Sequence, residues 1–415
     1  MNDRYPPARR GRPPLHRPAE LPEFDRSGWR TPWVQMKYYS FHPQIFPAMI
    51  REASREAGPG SLVQVYDKEG RPFGAGLWNP RSRVPLRILH HGQNPVGEEL
   101  FPWLLDRALD LRLNLLQLQN EETDAFRVIH SDGDGLSGLI VDRFADVLSV
   151  QVHSLGIWQR LPKLLAHLHE RLGTKRAVLE VDPEAARNEG IRPSELKSDD
   201  VRAVKIREHG VRYEVDFGSG HKTGFFCDQR DNRRKLAGWA KGRRVLDLCC
   251  YTGGFSLAAR VMGGAEEVTG VDLDEKAILQ AKRNANLNSA RVDWVHCDAY
   301  SFARQMRKDG KKFEVVILDP PKFVFSQEEA EDGLRRYEDL NILGISITEP
   351  GGLLVTCSCS GQLSADDFER LVIRAGQKLD RKLQFIDRTG ACLDHPVMSN
   401  CPEGRYLKVL WARVW

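Results

Sequence analysis

The chain has 415 residues, a formal net charge of +4 and a hydrophobic fraction of 41%. Because one domain commonly spans about 100–200 residues, the length predicts two or three domains with ordinary apolar cores. The sequence contains no run of about 18 consecutive apolar residues and no secretory signal pattern, which predicts a cytoplasmic protein without a membrane partner.

Residues 1–31 predict a disordered basic tail. They contain six prolines and seven arginines, and five of these arginines lie between Arg4 and Arg17 with no acidic residue among them. A segment with few apolar residues and much proline cannot form a packed core. We interpret it as a solvated extension. An arm that touches RNA is the alternative, because basic segments have affinity for phosphate.

Residues 32–97 predict a small, mostly β domain. Short strand-like runs occur at Leu62–Tyr66, Phe73–Trp78 and Val84–Leu89, with turn residues between them. Residues 98–196 predict a central α+β domain whose own chemistry indicates no function.

The domain at 197–415 is organised around the stretch Arg243–Phe255. The apolar run Val245–Leu248 predicts a buried strand, Gly253 and Gly254 allow a close turn, and a helix follows. Such a turn places a ligand at the carboxyl end of the first strand of a doubly wound α/β sheet. Neither the G-x-G-x-x-G fingerprint nor a P-loop is present, so a dinucleotide or a nucleoside triphosphate is not indicated.

The ends of the following strands identify the ligand. The second strand ends at Asp272, the third at Cys297-Asp298-Ala299, and the fourth runs into Asp319-Pro320-Pro321-Lys322. Acidic residues at these strand ends match the S-adenosylmethionine site of class I methyltransferases, in which Asp272 is placed to accept hydrogen bonds from ribose hydroxyls. We therefore expect a Rossmann-like sheet with S-adenosylmethionine as cofactor.

The run from Gly220 to Arg233 is dense in hydrogen-bond donors and aromatic rings. Exposing this many aromatic rings in a surface loop would be unfavourable, so we interpret the run as the lip of the cofactor pocket. The candidate cofactor-binding residues are Phe225, Gln229, Arg230, Asp247, Cys249, Tyr251, Thr252, Gly253, Phe255, Asp272, Leu273, Asp298, Ala299, Asp319 and Pro320.

All eight cysteines follow residue 220, unlike a disulfide framework spread through a small secreted fold. Reduced thiols are expected, and one of them is a candidate for catalysis. No second cysteine pair lies at zinc-ligand spacing, so we expect no metal.

Seven stretches resemble one known family, the bacterial 23S rRNA cytosine-C5 methyltransferases. They are Ser40–Phe46, Gly70–Pro80, Ser137–Phe144, the signature K-T-G-x-F-x-D-Q-R-x-N-R at 222–233, Asp319–Lys322, Ser358–Gly361 and Asp394–Pro396. The resemblance covers about residues 35–415. It implies an N-terminal PUA-like RNA-binding domain at 32–97, a seven-stranded class I methyltransferase domain at 197–415, and RNA, most of all ribosomal RNA, as the partner.

The chemistry of such a reaction requires a thiol. A cysteine adds to carbon 6 of the pyrimidine, carbon 5 then takes the methyl group, and a base removes its proton. Cys357 and Cys359 follow a strand and share one face, so both thiols are candidates. The resemblance favours Cys359 as the nucleophile. Asp319 is the second catalytic candidate, because it could hold the cytosine amino group or N3.

Lys222, Pro321 and Lys322 are the candidate substrate contacts. Methylation of an exocyclic guanine amine remains an alternative, because amine methyltransferases also use Asn/Asp-Pro-Pro. An inert RNA-binding protein is the other alternative. The sequence also leaves a homodimer open, and it does not identify the modified nucleotide or the base that removes the proton.

Overall fold

The computed structural model describes residues 25–219, 224–326 and 328–415. The first sheet consists of β1 (Trp33–Met36), β2 (Gln44–Ile45), β3 (Ile50–Ala53), β4 (Ser61–Tyr66), β5 (Pro72–Trp78) and β6 (Leu86–His91). These strands are ordered β2-β6-β5-β4-β1-β3 around a core that includes Val34, Val63 and Leu86. The β domain expected from alternating short runs is therefore present.

Residues 1–24 of the predicted tail lie outside the described residues. The prediction of a solvated extension also covers residues 25–31. In the structure these residues pack against the first sheet. The Trp29 ring stacks on Tyr66 with a centroid distance of 3.9 Å, and Arg26 forms an ion pair with Glu52 at 2.8 Å. Apolar stacking therefore fixes this segment to the first sheet.

The central part combines four strands with three helices. The strands are β7 (Ala125–His130), β8 (Leu139–Phe144), β9 (Val147–Val152) and β10 (Arg176–Glu180), in the order β10-β9-β8-β7. The helices are α1 (Leu100–Asp110), α2 (Leu155–Leu172) and α3 (Pro183–Glu189). Leu104 of α1 and Leu161 of α2 share one core with Phe126 of β7. The apolar spacing of both long helices explains this packing, because it places their leucines on one face.

A hairpin of β11 (Ala203–Glu208) and β12 (Val211–Asp216) leads to the last and largest sheet. Its strands are β13 (Arg244–Leu248), β14 (Glu267–Asp272), β15 (Asp293–His296), β16 (Phe313–Leu318), β17 (Thr348–Ser358), β18 (Leu383–Thr389) and β19 (Lys408–Val414). Its helices are α4 (Arg230–Ala240), α5 (Gly254–Leu257), α6 (Glu275–Leu287), α7 (Ala299–Lys308), α8 (Ala330–Ile347) and α9 (Ala365–Gln377).

The seven strands are ordered β15-β14-β13-β16-β17-β19-β18. The first five in this order run parallel, whereas β19 is antiparallel to both of its neighbours. The register pairs Leu248 with Val271 and Leu318, and Leu318 with Thr356. The carboxyl ends of β13, β14, β16 and β17 therefore meet at one edge, which is where ligands bind in such sheets.

Strand β17 contains an irregularity at Glu349–Gly352. The pairing there passes from Phe313 with Thr348 to Val315 with Leu353. The chain bulges at Gly351, whose φ is 79°, and then resumes the strand. Among the described residues, no helix has both the length and the apolar character needed to cross a bilayer.

Candidate active site

The loop after β13 is held in an unusual backbone conformation. Cys249 has a φ of 64°, Tyr251 of 49° and Gly253 of 88°. Side chains rarely tolerate this left-handed region, and such conformations cluster where a backbone must approach a ligand. A Cβ at Gly253 would lie 2.5 Å from Cη2 of Trp294, so glycine is required there. The loop and the start of α5 thus form the cradle that the sequence predicts.

Two carboxylates support this loop from the ends of β13 and β14. Asp272 accepts hydrogen bonds from the backbone N–H of Tyr251 at 2.8 Å and of Asp274 at 2.9 Å. Asp247 accepts from the Ser256 backbone N–H and hydroxyl, and burial raises its pKa to about 7. Its other oxygen, Oδ1, has no partner among the described residues. Burial of an acceptor without a hydrogen bond costs free energy. The ammonium group of S-adenosylmethionine is a cationic donor of the kind that this oxygen lacks.

A cavity of about 240 Å³ adjoins the loop. Tyr251 and Thr252 line it from the loop, and Lys276 and Gln280 line it from α6. Open space thus lies beside the strained loop.

The two adjacent rings Phe225 and Phe226 differ in burial, and the predicted cofactor contact Phe225 is the buried one. Phe225 is buried, 5.0 Å from the Tyr213 ring and 4.8 Å below the Arg233 guanidinium, so the structure does not bring it to the lip of the pocket. Phe226 is the exposed ring, and it lies 5.3 Å from Tyr251 of the loop. The turn before α4 decides which of the two phenylalanines points inward, and the exposed ring is the one at the F position of the 222–233 signature.

Gln229 and Arg230 are predicted cofactor contacts. In the structure each of them donates a hydrogen bond to a carboxylate. Gln229 donates from Nε2 to Oδ1 of Asp319 at 3.1 Å. Arg230 is buried and donates to Oδ2 of Asp394 at 2.7 Å. Gln229 therefore orients a catalytic candidate, whereas Arg230 neutralises a buried carboxylate.

Asp319 lies where β16 ends. Burial raises its pKa to about 7, and the nearby charge of Asp228 acts in the same direction. Its surroundings include the thiol of Cys357, whose pKa burial raises well above the ordinary value, with the charge of Asp319 adding to the shift. A carboxyl group with this pKa can exchange a proton near neutral pH.

Cys359 follows directly after β17 and remains partly exposed, whereas Cys357 is fully buried inside the strand. Burial raises the pKa of the Cys359 thiol to about 11, and the charge of Asp319 contributes. Lys408 opposes this shift, and it donates from Nζ to the backbone oxygens of Ser360 and Tyr406. The accessible thiol of the pair is therefore the one that the resemblance favours.

A larger cavity of about 570 Å³ adjoins the segment that follows this strand end. Its lining comes from three elements that meet at the edge of the sheet: the segment after Cys359, the end of β18, and the stretch before β19. These contribute, among others, Gly361, Gly390, His395, Tyr406 and Lys408. Space for a ligand thus exists next to the segment that follows the Cys359 thiol.

The remaining predicted residues have varied environments. Asp298 caps α7 by accepting from the Ser301 backbone N–H at 2.8 Å, and Ala299 is buried at the start of that helix. Leu273 is exposed after β14, and Phe255 is buried in the core of the sheet. Pro320, Pro321 and Lys322 continue the chain from Asp319. The predicted substrate contact Lys222 lies outside the described residues.

Two polar groups near the thiol, Tyr406 and Lys408, carry no signal in the sequence that would indicate their position. Tyr406 donates its hydroxyl to Oδ2 of Asp228 at 2.6 Å, across 178 residues of sequence. Asp228 belongs to the predicted signature, but no spacing in the chain connects it with Tyr406. Only the antiparallel return of β19 brings the two together.

Comparisons with known proteins agree with this geometry. A family model described as S-adenosylmethionine-dependent methyltransferase matches residues 189–404, and one described as PUA-like domain matches residues 32–91. A methyltransferase structure from Streptococcus mutans superposes with a TM-score of 0.74 at 22% identity, covering 92% of this chain and 100% of that one. Another methyltransferase structure, complexed with SAH, superposes with a TM-score of 0.73 at 22% sequence identity. This match covers 85% of this chain and 91% of that one.

The similarity extends to curated relatives. "Ribosomal RNA large subunit methyltransferase I" of Erwinia tasmaniensis is 34% identical, covering 90% of this chain and 95% of the relative. The protein of that name from Shewanella frigidimarina is 35% identical, and the match covers 90% of this chain and 96% of the relative.

Sheet order, cofactor loop and acidic strand ends together define a class I methyltransferase that uses S-adenosylmethionine. Within that class, the chain belongs to the family of ribosomal RNA large subunit methyltransferase I. The resemblance predicted from the motifs is confirmed.

Proposed function

We propose that the protein methylates carbon 5 of a cytidine in 23S ribosomal RNA through a covalent adduct with Cys359. One observation carries this proposal: the partly exposed thiol of Cys359 lies at the same sheet edge as the cofactor loop and within the electrostatic influence of Asp319. The names of the curated relatives support RNA of the large ribosomal subunit as the substrate. The activity belongs to the cytoplasm, and the homodimer stays a prediction.

The reaction begins with nucleophilic attack. Carbon 5 of cytosine is too weak a nucleophile on its own, so the Cys359 thiolate adds to carbon 6 and turns carbon 5 into an enamine-like centre. Asp319, with a pKa of about 7, donates a proton to N3 as the electrons move into the ring. Gln229 holds the carboxyl group in place for this role.

S-adenosylmethionine, when bound, supplies an electrophilic methyl group, and the residues that would hold it are those of the 249–253 loop with Asp247 and Asp272. The cytosine has to leave any helical stack to reach the thiol, so an unpaired or flipped nucleotide is required. The larger cavity gives that nucleotide space.

The experiment uses RNA that carries 5-fluorocytidine together with S-adenosylmethionine. Fluorine on carbon 5 cannot leave as a proton, so the adduct persists and the protein migrates as a protein–RNA complex under denaturing conditions. We expect a complex with the unaltered protein and with Cys357→Ala, and none with Cys359→Ala.

Two results would contradict the proposal. A complex that survives Cys359→Ala but not Cys357→Ala would transfer the role to the buried thiol. If the unaltered protein forms no complex while it still methylates RNA, the thiol mechanism is wrong and methylation of an amine takes its place.

A further inference from the structure

The lining of the larger cavity contains a histidine in a specific hydrogen-bonded arrangement. His395 Nδ1 lies 2.9 Å from Oδ1 of Asp394. The other oxygen of Asp394 accepts from Arg230 at 2.7 Å and from the Arg127 backbone N–H at 2.9 Å. Burial alone would raise the pKa of Asp394, but the hydrogen bonds from His395 and Arg230, together with the charge of Arg230, hold it well below the ordinary value. Asp394 is therefore an ionised acceptor.

This arrangement determines the tautomer of His395. Because a carboxylate can only accept, Nδ1 carries the hydrogen and Nε2 carries a lone pair. His395 is 5% exposed, it lines the cavity, and its Nε2 has no hydrogen-bond partner among the described residues. A buried acceptor of this kind demands a partner, and the cavity is where a ligand could provide one.

The other titratable groups that line the cavity already have partners or lack a lone pair. Lys408 donates to two backbone oxygens, Tyr406 donates to Asp228, and Glu403 lies 3.5 Å from His42. The guanidinium of Arg405 carries only hydrogen-bond donors and no acceptor. Of the described groups that line the cavity, His395 is thus the one whose geometry suits proton acceptance.

We propose that His395 is the general base that completes the reaction. This inference rests on the proposed cytosine-C5 function. After methyl transfer, carbon 5 carries both the methyl group and a hydrogen, and Cys359 is still bonded to carbon 6. The C5–H bond breaks and its proton goes to Nε2 of His395. As the electron pair of that bond forms the C5–C6 double bond, the C6–S bond breaks and its electrons leave with the Cys359 thiolate. N3 returns its proton to the Asp319 carboxylate.

Asp394 acts as a positioning residue in this step. Its carboxylate holds the hydrogen on Nδ1 and stabilises the imidazolium that forms when Nε2 takes the proton, as in other carboxylate–histidine pairs. The histidine returns to its neutral form by releasing that proton to water in the cavity.

The test is His395→Gln with ordinary cytidine RNA and S-adenosylmethionine. Without the base, the enzyme should transfer one methyl group and then stall, because carbon 5 keeps its hydrogen. We expect a denaturation-resistant protein–RNA complex that carries a labelled methyl group, and a loss of turnover of about 10²- to 10⁴-fold. In His395→Ala, added imidazole should enter the space and release the methylated RNA.

The controls separate failure of this inference from failure of the proposed function. Both variants should still form the 5-fluorocytidine complex, which requires the thiol and the methyl transfer but no base. Loss of turnover without a trapped complex on ordinary RNA, while the 5-fluorocytidine complex still forms, would overturn the role of His395. Unchanged turnover would overturn it as well. Absence of the 5-fluorocytidine complex in the unaltered protein would instead refute the proposed function.

Discussion

Asp319 and Cys359 are two acids whose environments move their pKa values to about 7 and about 11. Burial is the main cause for both groups, and the charge of Asp319 adds to the shift of the thiol. The reactive form needs a thiolate and a protonated carboxyl group together. That form has one proton shared between the two groups, as does the more stable form with an ionised Asp319 and a neutral thiol. Because both forms hold the same number of protons, their ratio does not depend on pH, and the population of the reactive form is constant between the two pKa values.

The pH dependence of kcat/KM follows from this pair. Below about pH 7 both groups are protonated, so kcat/KM should rise with pH and then level off near that value. Asp319→Asn removes the carboxyl titration and the negative charge that opposes the thiolate. Its kcat/KM should be lower but should continue to rise with pH from 7 to 9. A plateau at the same pH in the variant would show that Asp319 is not the group that titrates.

At the scale of elements, the segment Lys37–Phe41 between β1 and β2 forms an aromatic loop. Tyr38, Tyr39 and Phe41 are each at least half exposed, and the Phe41 ring lies 5.3 Å from Tyr39 and 5.0 Å from His91. Asn400 donates to the Phe41 backbone oxygen at 2.7 Å, which joins the loop to the segment that lines the larger cavity. Exposed rings beside a substrate cavity are suited to stacking with unpaired bases.

Phe41→Ala should therefore weaken RNA binding about 5- to 100-fold and leave kcat nearly unchanged, because stacking acts before the chemical step. Trp103→Ala is the matched control. Trp103 is as exposed as Phe41, but it packs near His90, which points to the opposite face of β6 from His91. Equal loss of affinity in both variants, measured by RNA titration, would argue against a specific stacking surface.

At the scale of the whole molecule, Arg112 connects the central part to the methyltransferase sheet. Its guanidinium is fully buried and donates to both oxygens of Asp134, at 2.6 and 2.9 Å, and to the backbone oxygen of Asp394 at 2.6 Å. The residue after that oxygen is His395, the proposed base. The same ion pair thus stabilises the contact between domains and fixes one wall of the cavity.

Arg112→Ala should lower the free energy of unfolding by about 3–5 kcal/mol, because it leaves the Asp134 carboxylate buried without its cation. Arg176→Ala is the control, since its pair with Asp146 is solvent-exposed on both sides and should contribute at most about 1 kcal/mol. Urea unfolding of both variants measures the difference. Similar losses would mean that the buried pair does not stabilise the domain contact.

The sequence by itself determined the three-part organisation, the strand that ends at Leu248, the glycine turn after it and the acidic strand ends. These features are local, since periodicity, glycine and the residue after each strand report on backbone geometry within a few positions. Motif resemblance added the family and singled out Cys359. The proposed domain boundaries and site roles remain predictions.

Tertiary structure alone decided which polar groups meet. Phe225 is buried and Phe226 is exposed because of one turn, and Arg230 pairs with Asp394 across 164 residues of sequence. The antiparallel return of β19 brings Tyr406 and Lys408 beside the end of β17, directly before Cys359. Contacts between distant segments depend on how the sheet and the domains pack, and no local pattern in the chain records that packing.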